Sequence, residues 1–250
     1  MKLSILLGSV RKERQSHRLA YFIKDQMMKK GVIVNLIDLK NYSLPIYGSS
    51  ISDEETKSVE TISGLLKSSQ AVIIVTPEYH SNIPAALKNI MEYCGINLIG
   101  KVTGIASASA TRFGGVNASN ILHITLLNLG AYLPSRRLLV PEIHLAFNQN
   151  NEPVQNEIRE QAEKFLDELL SYTNLLENKV STTDESGAFT ENNCGQKEAS
   201  GLLPANKKFE KHNQKKNKNG KANTKEKPEN FYYSGSDIHS RRQYRRIRMD

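Results

Sequence analysis

Residues 71–76 read Ala-Val-Ile-Ile-Val-Thr, an apolar, β-branched run with no polar alternation. A strand with one wet face alternates. A run that does not alternate suits a central strand covered on both faces, as in a parallel sheet with helices above and below it. The flanking sequence repeats one rhythm. Residues 2–7 form a short apolar run ending at Gly8. Residues 16–30 carry Leu19, Phe22, Ile23 and Met27 at helical spacing, with Gly31 at the C-cap position. Residues 32–39 read as a second strand. Ser52, with Glu55 three residues on, is a capping-box signal for a helix to about residue 68 that places Val59, Ile62, Leu65 and Leu66 on one face. The pattern then predicts a loop over 77–83, helices over 84–93, 115–129 and 152–172, and strands over 101–108 and 137–141.

Five βα units with right-handed crossovers put helices on both sides of the sheet. The expected fold class is α/β: a three-layer, doubly wound, five-stranded parallel sheet in the flavodoxin-like order 2-1-3-4-5.

The rhythm stops near residue 174, so the domain is expected to occupy 1–173. That segment holds 18 Lys and Arg against 16 Asp and Glu, whereas 174–250 holds 16 against 10. Residues 207–229 are mostly Lys, Asn, Glu and Gln, too poor in apolar surface to offset the backbone entropy lost on ordering. A basic, largely disordered C-terminal tail is expected there, ending in an aromatic and arginine-rich stretch from Phe231 to Arg248. No apolar run reaches the ~18 residues that a membrane span requires, and residues 3–7 are too short for a signal-peptide core. Cys94 and Cys194 cannot build a disulfide framework or a Cys-x-x-Cys site. A soluble, cytoplasmic protein with neither a membrane span nor a metal site is expected.

In a doubly wound sheet the ligand sits beyond the carboxyl ends of the strands, where the strand order reverses. Here that is between strands 1 and 3. The loop after strand 1 offers Gly8 for a turn, the hydroxyls of Ser9 and Ser16, the guanidinium of Arg11, and a helix N-terminus whose amides favour an anion. A phosphate dianion fits all of these. Equally, Ser16 merely caps the helix and the arginines are solvated. The loop after strand 3, Thr76-Pro77-Glu78-Tyr79-His80-Ser81-Asn82-Ile83-Pro84, holds a phenol ring, an imidazole and backbone amides on a short tether, suited to a planar heteroaromatic ligand. His80 on its own also reads as an ordinary exposed loop residue. Neither a Walker loop nor Gly-x-Gly-x-x-Gly occurs, and no Gly-x-Ser-x-Gly, which argues against an ATPase, an ordinary Rossmann dehydrogenase and a serine hydrolase.

Gly8-Ser9-x-Arg11 with Ser16, Thr76-Pro77-Glu78-Tyr79, Pro84-Ala-Ala-Leu87-Lys88-Asn89 and Gly114-Gly115 together resemble the NAD(P)H-dependent FMN reductase family, a flavodoxin-like group that includes quinone, azo-dye and chromate reductases. The resemblance covers residues 1 to about 173. It implies that Ser9, Arg11, Ser16 and His17 hold the FMN phosphate. Pro77, Glu78, Tyr79 and His80 would then line the isoalloxazine ring, and Ser107, Ser109 and the turn through Gly114 and Gly115 would approach its other edge. His80 stands where the family often has Asn, and the 81–83 and 107–113 segments carry fewer glycines than many relatives, changes that narrow the space above the ring.

The resemblance further implies a two-step oxidoreductase. NADPH or NADH gives hydride to bound FMN, which passes electrons to a quinone, free flavin or similar acceptor, with the chemistry borne by the cofactor and no catalytic side chain. Arg112 is the candidate on the nicotinamide side, although a solvated arginine explains it as well. A homodimer, or a tetramer, is expected, from the apolar surplus on 90–93 and 121–129 together with the resemblance. Cys94 reads as packing. Two other functions remain open: a flavin electron carrier or sensor without nicotinamide turnover, and a scaffold whose basic tail binds nucleic acid.

Overall fold

The computed structural model describes residues 1–185. Five strands, β1 (Lys2–Leu7), β2 (Ile33–Asp38), β3 (Ala71–Pro77), β4 (Val102–Ala108) and β5 (Leu138–Val140), form one sheet in the order β2-β1-β3-β4-β5. Every pairing is parallel. The helices are α1 (Ser16–Lys29), α2 (Asp53–Lys67), α3 (Ala85–Cys94), α4 (Val116–Asn128), the short α5 (Ile143–Ala146) and α6 (Asn156–Glu185). This is the doubly wound, flavodoxin-like α/β architecture that the alternation of apolar runs predicts.

Two separate apolar layers explain why β3 shows no polar alternation. Ala71, Ile73 and Val75 join the layer under α1 and α6, while Val72 and Ile74 join the layer under α2, α3 and α4. All seven residues of β3 are buried. Each face of the strand therefore removes its own set of side chains from water, and hydrophobic transfer favours this at roughly 25 cal/mol per Å². On β4, Gly104 is needed for fit. A Cβ there would come within 2.7 Å of Leu169 and 2.8 Å of Phe165, both on α6.

The capping box at Ser52 is present. The Glu55 amide donates to Ser52 Oγ at 3.3 Å, and the Ser52 amide donates to Glu55 Oε2 at 2.9 Å. The last helix differs from the sequence expectation at both ends. It begins at Asn156 because Phe147 bridges Pro153 and the Asn148 amide bonds the Glu152 carbonyl, a turn that uses up the preceding residues. It runs to Glu185, beyond the expected boundary at 173, because extending a formed helix adds one hydrogen bond per residue without a new nucleation cost. Leu176 still packs against the core on this extension. The disordered-tail expectation otherwise falls on residues 186–250, outside the described residues. No helix among those described is long and apolar enough to cross a membrane.

Register sets the level of the site. Leu7 lies beside Asp38 on one side and Val75 on the other, and Pro77 lies beside Ala108. The loops leaving β1, β3 and β4 thus emerge along one edge of the sheet, at the carboxyl ends of the strands.

Candidate functional site

Gly8 opens the first loop, its amide donating to the Val75 carbonyl at 2.9 Å. A Cβ on Gly8 would lie 2.8 Å from Leu87 of α3, so close packing of that helix requires glycine. The next residue, Ser9, is fully buried, and its Oγ lies 2.7 Å from the Tyr79 hydroxyl. Tyr79 therefore spans from the β3 loop to the β1 loop, and its phenol serves the loop expected to hold phosphate as well as the crevice expected to hold a ring.

Two helix N-termini, those of α1 and α4, stand at the ends of these loops, and they differ. At α4, the Glu78 carboxylate accepts the amides of Asn117 at 3.0 Å and Ala118 at 3.3 Å, and the Asn117 side-chain amide at 3.2 Å. That terminus already has its anion. At α1, Gln15 makes no side-chain cap, no acidic residue lies in the first turn, and Ser16 Oγ is buried without a hydrogen-bond partner. Leaving such a hydroxyl unsatisfied costs ~1–3 kcal/mol, and terminal amides attract negative charge. Of the two helix ends, that of α1 is the one left without a side-chain cap or an acidic group.

His17 Nδ1–H donates to the Arg14 carbonyl at 2.8 Å, and its ring packs edge-on against Tyr21. Burial, chiefly, and then the cations of Arg14 and Arg18 hold its pKa below the ordinary value, against the opposing effect of the Arg14 carbonyl. Arg11 is exposed at the loop's outer side. The guanidinium packed inside belongs to Arg14, a residue the sequence reading did not single out. It donates to the Ser9 carbonyl at 2.6 Å and forks onto both carboxylate oxygens of Asp38. Arg18 reaches the Phe147 carbonyl at 2.9 Å.

The β3 loop closes as a two-residue turn. Tyr79 and Asn82 exchange backbone hydrogen bonds at 2.9 and 3.0 Å, and His80 and Ser81 between them have φ of +50° and +59°. Both are exposed and neither is glycine, so the turn holds two side chains in the left-handed region that such residues rarely adopt. The amides of Glu78, Tyr79, Asn82 and Ile83 are all taken up within the protein. Those of His80 and Ser81 bond no group among the described residues. Pro77 ends β3 and is buried.

The β4 loop is held by its own hydroxyls. Ser107 Oγ donates to the Gly114 carbonyl at 2.8 Å, and Ser109 Oγ engages Thr111. Gly114 and Gly115 have φ of +61° and +81°, with the Leu139 and Ala108 backbones 3.0 and 3.2 Å from where a Cβ would sit. Arg112 and Phe113 lie together at the exposed tip, with the guanidinium 5.1 Å from the ring centroid.

The loops that carry the expected residues thus leave neighbouring strands at the carboxyl edge of the sheet, and their side chains have different partners. Ser107, Ser109 and Glu78 shape loops. Ser9 pairs with Tyr79, and Ser16 and His17 lie in the first turn of α1. Asn89 of α3 pins the 45–47 segment, its side chain bonding the Pro45 carbonyl and the Tyr47 amide. Cys94 lies under α2, its thiol pushed up by burial to about 11, which leaves no thiolate for redox work near neutrality. Among the described residues no His, Cys, Asp and Glu cluster could hold a metal.

The profile of a protein family described as NADPH-dependent FMN reductase matches residues 1–144. The chain is 29% identical over 146 residues to an NADPH azoreductase of a Bacillus species, covering 58% of this chain and 79% of that one. It is 23% identical over 183 residues to a quinone reductase of Pseudomonas putida, covering 69% and 95%. Its fold matches the solved structure of FerB, a flavoenzyme NAD(P)H:(acceptor) oxidoreductase from Paracoccus denitrificans, with a TM-score of 0.59 at 20% identity, over 69% of this chain and 97% of that one. With more than half of its length matched by the family profile, and with the loops that bear the family's motifs meeting at one sheet edge, the chain belongs to the NADPH-dependent FMN reductases.

Proposed function

We propose that this chain binds FMN in the crevice between the β1, β3 and β4 loops, takes hydride from NADPH or NADH, and delivers electrons to a quinone, free flavin or similar small acceptor. One observation carries the placement: of the two helix ends at the crevice, α4 is capped by Glu78 while α1 keeps a buried, unpartnered Ser16 hydroxyl. The residues present fit the cofactor. Ser9, Ser16 and the first amides of α1 would hold the phosphate, with Arg11 adding charge at the rim and His17 a ring nitrogen for hydrogen bonding. The free N–H groups of His80 and Ser81 and the glycine turn at 114–115 would border the ring, and the exposed Arg112 would pair with a nicotinamide phosphate. Bound FMN supplies the capacity to accept hydride and pass on electrons. The protein's own part is placement, exclusion of water, and donors fixed in advance where negative charge develops on reduction. Relatives named azoreductase and quinone reductase support this choice of acceptor class.

We further propose a homodimer in a reducing cytoplasm. Ile96, Ile99, Ile124, Leu127 and Tyr132 are all more than half exposed on the α3 and α4 side of the sheet. Gly100 and Gly130 join there through a 2.9 Å backbone bond, which gathers this apolar surface into one region. Sedimentation at twice the chain mass, reduced by Leu127→Lys, supports it; an unchanged monomer refutes it.

The function is tested by mixing FMN-loaded protein anaerobically with NADPH or NADH and then adding a quinone. Bleaching of the flavin by at least one nicotinamide, and recovery of colour on adding the quinone, is the expected result. A flavin that stays oxidised with both nucleotides makes the chain a carrier or sensor instead.

A further inference from the structure

The β1 loop has one glycine, and its middle residues 10–13 are exposed. A loop of this kind does not hold a phosphate-binding shape through its own backbone. Besides the bonds of Gly8 to Val75 and of Ser9 to Tyr79, its ends are tied through Arg14. At the start of the loop, Arg14 Nη1 donates to the Ser9 carbonyl at 2.6 Å. Toward its end, the Arg14 carbonyl accepts from His17 Nδ1 at 2.8 Å, in the first turn of α1. Arg14 is itself fixed from outside the loop. Its Nη1 lies 2.8 Å from Asp38 Oδ1, and Nη2 donates to Oδ2, with both side chains about nine-tenths buried. Asp38 cannot drift, because it closes β2 beside Leu7 of β1 and its Oδ1 accepts the Lys40 amide at 3.1 Å.

We propose that the Asp38–Arg14 pair is the positioning device of the phosphate loop, the edge strand β2 setting through Arg14 the direction of the loop's peptide donors. The reason is the planarity of the trans peptide. Drawing the Ser9 carbonyl onto the Arg14 guanidinium turns the following N–H, that of Val10, the opposite way. That amide has no partner among the described residues. The fork geometry matters as well. Arg14 must bond one carbonyl and two carboxylate oxygens at once, which a planar guanidinium does and an ammonium does not. Because the carboxylate cancels much of Arg14's charge, the pair acts by geometry and not by adding positive potential. Neither residue is expected to touch the cofactor's ring.

This rests on the FMN reading, and the test separates the two. Dissociation constants for FMN and for riboflavin, which lacks the phosphate, are measured by flavin fluorescence on the wild type, Asp38→Asn and Arg14→Lys, with melting temperatures alongside. Both variants are expected to weaken FMN by about tenfold or more, the scale of one charge-assisted hydrogen bond, while shifting riboflavin by less than about twofold. Arg14→Lys keeps a cation in place and so covers the case in which Asp38→Asn folds poorly. Equal weakening of both flavins shows general damage and overturns the proposal. Tighter FMN binding by Asp38→Asn also overturns it, because Asp38 would then act only as a repelling charge. A wild type that takes up neither flavin refutes the FMN reading itself, and this inference falls with it.

Discussion

At the residue scale, the candidate site is defined by what its polar atoms lack. Ser16 Oγ is buried with no partner, so its hydroxyl costs the empty protein stability that a ligand would restore. Ser16→Ala is therefore expected to lower FMN affinity by about tenfold while leaving the unliganded protein as stable or up to ~1 kcal/mol more stable. Calorimetric titration and thermal melts check both halves. An ordinary capping serine would show the reverse, with stability lost and binding kept. His17 gives a second outcome. Its pKa is lowered in the fold, mainly by burial, so folded and unfolded chains are alike above about 6.5, and the unfolded chain takes up a proton first below it. Stability due to His17 is thus present above that value and lost as the pH falls through the folded pKa. Melting temperatures of the unliganded protein should drop across that window, and His17→Gln should flatten the drop. A parallel profile in the variant would contradict this. That Ser9 and Ser16 fall in the loop between β1 and α1, and that Gly114-Gly115 makes a turn, was legible from residue type and position. The Arg14–Asp38 fork was not, because no spacing along the chain reveals which of Arg11, Arg14 and Arg18 meets a carboxylate 24 residues away from Arg14. Glu78 shows the same limit. Its place in a motif did not reveal that its carboxylate closes the N-terminus of α4.

At the scale of elements, local signals located starts better than ends. The Ser52–Glu55 box is written in adjacent residues and marks the start of α2 correctly. The end of α2 is held by tertiary contacts invisible in the sequence: Lys101 Nζ donates to the carbonyls of Leu66 at 2.7 Å and Lys67 at 2.8 Å, and also to that of Ser69. A cation on the last carbonyls of a helix satisfies groups with no intrahelical partner. Lys101→Met is expected to destabilise by about 1–3 kcal/mol, at least as much as Ser52→Ala at about 1 kcal/mol, in denaturant unfolding. A smaller effect than that of Ser52→Ala would show that the lysine is merely tethered. Helix α6 gives the complementary lesson. Its periodic apolar signal fades near residue 173, yet the helix continues, since propagation needs no apolar face.

For the whole molecule, strand order follows from the alternation of apolar runs and the handedness of crossovers, and that alone placed the crevice between β1 and β3. What the folded chain adds is the choice between two helix ends, which depends on contacts between loops far apart in sequence. The most direct test is a crystal structure of the protein with FMN. The phosphate is expected within hydrogen-bonding distance of Ser16 Oγ and the first amides of α1, with the ring between the 77–83 and 107–115 loops. A flavin bound elsewhere, such as along the apolar groove between Leu44 and Ala86, or a phosphate seated at the N-terminus of α4 after displacing Glu78, would contradict the account.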